Sequence, residues 1–417
     1  MKILYDCFSC SPYYGSDEGI GWLWPSMMSK YHEIWVLVRK DRQQDIEKYC
    51  GKNQINNIHF VYCDIPNWMN LYYRNLKQNK NGVMDFLIYQ YLWQFPAYMK
   101  AKKLHKRVRF DLVHHVCTND FRILGYMYKL KIPYIIGPIG GAQETPIGLK
   151  YYVRNHKKSE KMRSMLNQVM VRLLGYKKAL NSANKIYFSN QETKDFLAPY
   201  IQDSSKCELL TEIGFVEENC VEKVTKKDET ETIFMWAGRM EYRKGLELLV
   251  DVIKTLPLDK KWKVIFCGDG REKKYIENLC AQYKLEKRVE FLGKVPYEKM
   301  EMIYKKADVF VFPSLRETTG TVIIEAMAHS LPVICLKQGG AVEIINENMG
   351  FLIPVEDKDE CINAFGMAME KCINFPENTR KIGENARIHI MNNYLWEQKI
   401  SNMERVYRKL VEQETYE

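Results

Sequence analysis

VFVFPSLRETTGTVIIEAMAHSLPVICL, residues 309–336, is the stretch from which the fold of the second half of the chain is predicted. Its first four residues are β-branched or aromatic, which predicts a buried strand. The polar turn at 318–321 favours a helix start, and residues 322–329 then predict a short helix that ends ahead of a proline. The same alternation recurs through this half, which predicts a parallel sheet with helices on both faces. The predicted strands are residues 233–237, 262–267, 288–292, 308–312, 332–336 and 351–353.

Two glutamates frame the turn in this stretch, Glu317 within it and Glu325 one turn inside the predicted helix. Thr319, Gly320 and Thr321 would present free backbone N–H groups at the helix start, where an anion binds well. A carboxylate beside such a site can accept hydrogen bonds from a sugar diol. The spacing alone also fits a surface glutamate beside a core helix, which is the more common arrangement.

A second stretch strengthens the functional interpretation. The predicted strand at 233–237 is followed by GRMEYRKG, residues 238–245, and then by a helix. Arg239 and Lys244 flank this turn and could neutralise a diphosphate, the arginine by paired hydrogen bonds and the lysine as a point charge. The turn is neither a Walker loop nor a dinucleotide-binding fingerprint, because the glycine spacings of both are absent.

Together, GRMEYRKG and ETTGTVIIE resemble the retaining glycosyltransferases of family four. That resemblance implies the GT-B fold, with two doubly wound, Rossmann-like α/β domains facing across a cleft. It also implies that Arg239 and Lys244 bind the donor diphosphate and that Glu325 binds the ribose hydroxyls. Glu317 would contact the donor sugar as a catalytic residue. Further donor-binding residues implied by the resemblance are Gly15, Gly293, Val295, Thr319, Gly320 and Thr321.

The first half of the chain carries two matching features. A predicted strand at 2–8 leads into the glycine-rich loop SPYYGSDEGIGW, and Gly15 best matches a family glycine that faces the donor. The predicted strand FDLVH, residues 110–114, puts His114 and the following His115 at its carboxyl end, where doubly wound sheets bind ligands. By resemblance one of these histidines is catalytic, and the doublet leaves open which one. A lone histidine is more often structural.

Between these features and the second half, the pattern predicts a helix near 120–130 and a long basic helix over 155–182. The sequence GPIGGAQE between them resembles a subset of the family that builds surface polysaccharides. The predicted domains are an acceptor-binding domain at 1–214, a charged linker at 215–231 and a nucleotide-sugar-binding domain at 232–392. By resemblance, a final helix at 393–417 packs back on the first domain.

Charge is distributed unevenly along the chain. Residues 1–210 carry 31 lysines and arginines against 17 acidic residues, whereas the remainder carries 31 against 35. A basic first half suits an anionic membrane surface or a lipid-pyrophosphate acceptor, although it equally fits a solvated basic domain. Aromatic and basic residues concentrate at 71–109, which includes Lys102, Lys103, Lys106 and Arg107. Nucleic-acid binding is suggested by the charge alone, since no recognition motif is present.

These features predict a cytoplasmic enzyme, peripheral at the inner face of a membrane, that transfers a sugar with retention of configuration. Its partners would be a nucleotide sugar and a glycan or polyprenyl-pyrophosphate-linked acceptor. No metal or other cofactor is implied, because Arg239, Lys244 and helix N-termini would do the work of a metal. The scattered cysteines fit a reducing compartment. The alternatives are a nucleotide-sugar epimerase, another GT-B enzyme such as a phosphorylase, or a non-catalytic partner subunit.

Overall fold

The computed structural model describes residues 1–66, 82–116, 120–173, 175–216 and 231–416. Its contacts divide the chain into two compact units. Unit 1 comprises residues 1–142, 165–212 and 397–417, and unit 2 comprises residues 143–164 and 213–396. The linker predicted at 215–231 falls mostly on residues 217–230, and part of the aromatic and basic region falls on residues 67–81. Both of these stretches lie outside the described residues.

Unit 1 contains a parallel sheet whose described strands run in the order β3-β2-β1-β4-β5-β6-β7. These strands are β1 (Lys2–Asp6), β2 (Glu33–Arg39), β3 (Ile58–Cys63), β4 (Leu112–His115), β5 (Tyr134–Ile139), β6 (Lys185–Phe188) and β7 (Cys207–Leu209). The direction of strand addition reverses between β1 and β4. The carboxyl ends of these two strands therefore flank the switch point at which open α/β sheets bind ligands.

Unit 2 contains a second parallel sheet with the strand order β10-β9-β8-β11-β12-β13. Its described strands are β8 (Thr232–Ala237), β9 (Trp262–Cys267), β10 (Val289–Gly293), β11 (Val309–Phe312), β12 (Val333–Leu336) and β13 (Gly350–Ile353). Here the switch point lies between β8 and β11. The strand-based prediction of two doubly wound, Rossmann-like α/β units is confirmed.

Helices connect the strands of both sheets. In chain order, those described are α1 (Ser16–Met28), α2 (Gln43–Cys50), α3 (Gly82–Val108), α4 (Lys157–Met170), α5 (Tyr176–Asn181), α6 (Gln191–Leu197), α7 (Leu246–Ile253), α8 (Lys273–Gln282), α9 (Tyr297–Lys306), α10 (Thr321–Ala328), α11 (Lys358–Asn374), α12 (Pro376–Asn393) and α13 (Trp396–Tyr416). None of the described helices combines the length and the apolar composition needed to cross a lipid bilayer.

Two helix predictions are wrong. In place of a helix over 120–130 the structure has turns and a short 3-10 helix, Met127–Leu130. Gly125 interrupts the helical backbone there, with a φ of +67° in the left-handed region. The predicted helix over 155–182 is divided into α4 and α5. Gly175 precedes α5 with a φ of +89°, so the polypeptide turns between the two helices.

Residues 143–164 fall within the predicted first domain, yet their contacts belong to unit 2. Leu149, Tyr152 and Val153 are buried in the hydrophobic core of that unit. The Tyr152 hydroxyl donates a hydrogen bond of 2.9 Å to a carboxylate oxygen of Asp251 on α7. Apolar burial and this hydrogen bond together hold the segment against the second sheet.

The last helix, α13, belongs to unit 1 and completes its core. Tyr407 is fully buried, and its hydroxyl hydrogen-bonds both to the Tyr5 hydroxyl at 2.7 Å and to Nδ1 of His114. His32 contributes a further contact, with its Nε2 3.3 Å from a Glu404 carboxylate oxygen. The helix is therefore fixed to β1 and β4 by buried polar groups as well as by apolar packing.

We predict that Tyr407→Phe lowers the free energy of unfolding of unit 1 by about 1–3 kcal/mol. The change keeps the ring but leaves the Tyr5 hydroxyl and His114 Nδ1 buried without this partner. Urea denaturation followed by tryptophan fluorescence measures the effect. Tyr31→Phe is the matched control, because Tyr31 is about half exposed. Equal stabilities for the two variants would show that the buried network contributes nothing.

Candidate active site in unit 2

The two motif loops of unit 2 meet at its switch point. Residues 238–245 follow β8 and residues 313–320 follow β11, and these neighbouring strands point the same way. Gly245 has a φ of +67°, and a Cβ there would lie 1.9 Å from the Pro313 carbonyl oxygen. The Leu315 N–H also donates to the Arg243 carbonyl at 2.8 Å. The glycine that ends GRMEYRKG is therefore required for the two loops to touch.

An ion pair joins the loops at their centre. The Lys244 ammonium contacts a carboxylate oxygen of Glu317, and Nη1 of Arg243 lies 3.7 Å from the same oxygen. Burial opposes ionisation of Glu317, but the two cations outweigh it and hold the pKa of this carboxyl below its usual range. Lys244, predicted to bind the diphosphate, and Glu317, predicted to bind the sugar, thus contact each other directly in this structure.

Arg239 and Arg243 add charge on the same loop. Arg239 is 77% exposed, with its Nη1 3.7 Å from Glu241, while Arg243 donates to Glu241 at 2.9 Å. Together with Lys244 and Glu317, the group contains three cations and two carboxylates. The net positive charge and the exposure of Arg239 suit an incoming polyanion.

The helix start predicted from the sequence is present one residue earlier than expected. Helix α10 begins at Thr321, with Gly320 before it at a φ of +89°, and Thr319 is fully buried. The first backbone N–H groups of such a helix lack helical acceptors and carry partial positive charge. Thr319, Gly320 and Thr321 thus lie where an anion-binding helix start was predicted.

A second glycine pair supports this turn. Gly339 and Gly340 follow β12, and a Cβ on Gly340 would lie 2.1 Å from the carbonyl oxygen of Thr318. A Cβ on Gly339 would lie 2.5 Å from the Glu317 carbonyl oxygen. The backbone around Glu317 therefore rests directly on the backbone of the loop after β12.

Glu325 has a different environment from Glu317. Its carboxylate accepts a hydrogen bond of 2.8 Å from the Tyr304 hydroxyl on α9, and the ring of His329 stacks on Tyr304 with 4.9 Å between centroids. Burial raises the pKa of Glu325 to about 7, although the Tyr304 hydrogen bond partly opposes the shift. The carboxyl therefore keeps its proton to a higher pH than an exposed glutamate does.

The remaining predicted residues of unit 2 lie at or just after the end of β10, which is two strands from β8 in the sheet. Gly293 ends β10 with a φ of +67°, and its carbonyl accepts a hydrogen bond of 2.8 Å from the Gly268 N–H in the loop after β9. Val295 is partly exposed just before α9. Both belong to the carboxyl edge of the same sheet as the two motif loops. Their assignment to a nucleotide base stays a prediction.

In unit 1, Gly15 is exposed at the start of α1, with open space around the position of a Cβ. The tight points of its loop are Gly19 and Gly21, where a Cβ would lie 2.7 Å from the Tyr14 carbonyl oxygen and 1.8 Å from that of Ser9. Close packing explains these two glycines. Gly15 needs no such explanation, and its donor-facing role stays a prediction.

The two histidines are fully buried at the end of β4. Nδ1 of His115 lies 2.7 Å from Asp6 and its Nε2 lies 3.1 Å from the Ile123 carbonyl oxygen. His114 contacts Tyr407 through Nδ1 and the Gly137 carbonyl through Nε2, and burial lowers its pKa to about 3. Every ring nitrogen thus has a partner within unit 1. A catalytic histidine would have to exchange one of them, and the assignment stays a prediction.

Sequence reasoning missed several residues of this site. Arg243 is not among the predicted site residues, although its charge within GRMEYRKG marks it as a candidate. The glycine pair at 339–340 follows a predicted strand and was a readable turn signal. Tyr304 sits inside an ordinary amphipathic helix, so no local pattern distinguished it.

Among the residues that the structure describes, no group of three or more His, Cys, Asp and Glu side chains could hold a metal ion.

The chain is similar to several known proteins. Residues 219–389 match the family described as glycosyl transferases group 1. One curated relative is the gpi3 subunit of phosphatidylinositol N-acetylglucosaminyltransferase from Schizosaccharomyces pombe, 32% identical over 146 residues, which are 34% of this chain and 32% of that protein. Across several curated relatives, the matched part spans about a quarter to a half of their length.

Solved structures are similar along nearly the whole chain. A sucrose-phosphate synthase from Thermosynechococcus elongatus gives a TM-score of 0.69 at 21% identity, over 98% of both chains. HepE of Anabaena, in complex with UDP, gives 0.66 at 17% identity, over 98% of this chain and 100% of its own. At such identities the likeness shows the fold. The family match over residues 219–389 and the likeness in fold together confirm the predicted resemblance to family-four glycosyltransferases with the GT-B fold.

Proposed function

We propose that the protein is a retaining glycosyltransferase that moves a sugar from a nucleotide-sugar donor to a glycan or lipid-linked glycan. The observation that carries this proposal is the contact between Lys244 and Glu317 at the switch point of unit 2. It brings a phosphate-binding cation and a hydroxyl-binding carboxylate together beside the start of α10. A diphosphate joined to a sugar needs both kinds of ligand side by side.

The chemistry follows from where charge develops during transfer. As the bond between sugar and diphosphate breaks, negative charge grows on the leaving phosphate. Lys244, Arg243 and Arg239, with the N–H groups at Thr319–Thr321, would stabilise that charge without a metal. Glu317 would accept hydrogen bonds from the sugar. A hydroxyl of the acceptor would attack the anomeric carbon from the face that the diphosphate leaves, with its proton passing to the departing phosphate, and this would retain the configuration.

The donor is proposed to be a nucleoside diphosphate sugar. The neighbouring HepE structure contains UDP, which supports a nucleotide as the ligand of this fold. Glu325 offers a carboxyl to the ribose hydroxyls from the second turn of α10, and Tyr304 orients it. Gly293 and Val295 provide backbone at the same edge of the sheet for the base.

The acceptor is proposed to be a polyprenyl-pyrophosphate-linked glycan at the cytoplasmic face of a membrane, as in surface polysaccharide synthesis. Helix α3 supports this proposal, because one exposed face carries a stripe of Ile88, Tyr91, Phe95 and Met99. These positions recur every three or four residues. The stripe continues into four exposed basic residues: Lys102, Lys103, Lys106 and Arg107. Apolar and basic groups in line on a helix suit an anionic lipid surface. The relative from S. pombe is named for a phosphatidylinositol acceptor, which is also a lipid.

We predict that Lys244→Ala weakens the binding of UDP or GDP by about 10- to 150-fold, since it removes a charge-assisted contact to phosphate. Arg239→Ala should act in the same direction with a smaller effect of about 3- to 10-fold, because its exposed side chain is screened by solvent. Isothermal titration calorimetry measures both. If both variants keep wild-type affinity, the turn is not the diphosphate site.

Two controls accompany this titration. Lys260→Ala removes an exposed lysine just before β9, at the opposite edge of the sheet, and should leave affinity unchanged. Glu317→Gln removes the partner of Lys244 and no phosphate ligand, so nucleotide affinity should hold or rise while sugar transfer falls. A large loss of nucleotide affinity in Glu317→Gln would assign Glu317 to the nucleotide itself.

The raised pKa of Glu325 gives a pH prediction. The ionised carboxylate is the better acceptor for ribose hydroxyls, and with a pKa of about 7 it becomes ionised as the pH rises from 6 to 8. Wild-type affinity for UDP should therefore increase by about 10-fold over this range. Glu325→Gln cannot ionise and should lack this component. The terminal phosphate of UDP titrates nearby, so the measured quantity is the difference between the two proteins, and identical pH profiles would contradict the assignment.

We also predict salt-sensitive binding to anionic liposomes. Wild type should co-sediment with phosphatidylglycerol-rich vesicles at low salt and be released at high salt. Replacing Lys102, Lys103, Lys106 and Arg107 by glutamine should release the protein without changing its nucleotide affinity. The matched control replaces four exposed lysines of unit 2: Lys260, Lys261, Lys284 and Lys287. Wild type in the supernatant at low salt would favour a soluble acceptor.

A further inference from the structure

A partly buried carboxylate from the first half of the chain lies against both motif loops of unit 2. Glu160, on α4, has a side chain 14% exposed. One of its oxygens accepts a hydrogen bond of 2.9 Å from the Tyr242 hydroxyl and another of 2.7 Å from Nη2 of Arg316. The other oxygen accepts 2.8 Å from the Thr145 hydroxyl. Three donors from three parts of unit 2 thus converge on one carboxyl group.

The two loop contacts come from residues beside the proposed donor ligands. Tyr242 stands two positions before Lys244, and Arg316 is the immediate neighbour of Glu317. Glu160 therefore links the loop after β8 to the loop after β11 from a point outside both. Its two loop partners also approach each other, with 3.4 Å between Nη2 of Arg316 and the Tyr242 hydroxyl.

The carboxylate is held in its charged form. Burial opposes ionisation, but the Arg316 guanidinium and the hydrogen bonds from Thr145, Tyr242 and Arg316 outweigh it, so the pKa of Glu160 lies below its usual range. The ring of Tyr242 is fixed on its other side, because His156 stacks on it with 3.9 Å between centroids. Because the Glu160 carboxylate is ionised and the Tyr242 ring is held by His156, the hydrogen bond between Glu160 and Tyr242 has a fixed geometry.

The segment that carries Glu160 is itself anchored to unit 2. Arg154 donates to Glu247 on α7 at 2.6 Å. A Cβ on Gly148 would lie 2.1 Å from the Glu356 carbonyl oxygen, so the backbones touch there. These two contacts lie outside the motif loops. The segment that carries Glu160 is therefore held in place independently of the loops that Glu160 contacts.

We propose that Glu160 is a positioning residue for the donor site: through Tyr242 and Arg316 it sets the spacing between Lys244 and Glu317. This inference rests on the proposed nucleotide-sugar site and adds a residue from outside both motifs. In this role Glu160 would not itself contact the phosphate or the sugar. Its effect on ligand binding passes through Lys244, which gives the proposal a specific signature.

The test is a double-mutant cycle on nucleotide binding. Calorimetry with UDP, GDP and ADP is run on wild type, Glu160→Gln, Lys244→Ala and the double variant, with melting temperatures recorded for each. Glu160→Gln should weaken binding by about 10-fold in the wild-type background, the scale of one charge-assisted hydrogen bond. In the Lys244→Ala background it should change binding by less than about 2-fold, because coupled residues are not additive.

Thr145→Val and Tyr242→Phe each remove one hydrogen bond to Glu160, and they should show smaller losses with the same dependence on Lys244. They keep the test available if Glu160→Gln does not fold. Glu347→Gln, an exposed carboxylate of the same unit, is the control and should bind like wild type.

The outcomes separate the inference from the proposed function. If wild type binds none of the three nucleotides, the proposed donor site is overturned and the inference falls with it. If Lys244→Ala weakens binding while Glu160→Gln does not, the donor site stands and the inference is wrong. Equal losses from Glu160→Gln in both backgrounds would mean that Glu160 stabilises the unit without positioning Lys244.

Discussion

The ion pair between Lys244 and Glu317 is the interaction on which the candidate site depends. It closes the switch point of unit 2 by joining loops that are 73 positions apart in sequence. Removing Glu317 would leave the Lys244 ammonium without its partner in a mostly buried position, which usually costs several kcal/mol, whereas removing Lys244 would leave Glu317 with Arg243 as its remaining ion-pair partner. A ligand with a diphosphate and a sugar would offer each partner a replacement. Such a ligand would therefore separate Lys244 from Glu317 without leaving either charge unpaired.

Backbone packing makes that pair possible. Parallel strands end at one edge, so β8 and β11 bring their following loops to the same place. Glycines then allow the close approach that side chains would block: Gly245 lies against Pro313, and Gly340 lies against Thr318. The charged residues occupy the gaps that these contacts leave. These glycines thus allow the backbones that carry Lys244 and Glu317 to lie in direct contact.

The sequence predicted the parts of this arrangement that repeat locally. Strand periodicity located the six strands of the second sheet to within about a residue, and spacing placed Glu317 and Lys244 on turns after strands. It could not predict Glu160 or Tyr304, because these residues reach the site through tertiary packing across long separations. The helix expected near 120–130 failed for a local reason, since Gly125 adopts a left-handed conformation that helical periodicity does not reveal.

Glu317 and Glu325 lie eight positions apart, and their environments shift the pKa values of their carboxyl groups in opposite directions. Glu317 faces two cations and stays ionised, whereas Glu325 faces a neutral tyrosine and is raised towards pH 7. When the environments of two nearby carboxyl groups shift their pKa values in opposite directions, the two groups typically have different chemical roles. An ionised Glu317 suits the sugar hydroxyls and the cations that, in the proposed reaction, would stabilise the leaving diphosphate. A Glu325 that ionises only near neutral pH suits a ligand that supplies its own hydroxyl donors, because those hydrogen bonds favour the charged form and stabilise it on binding.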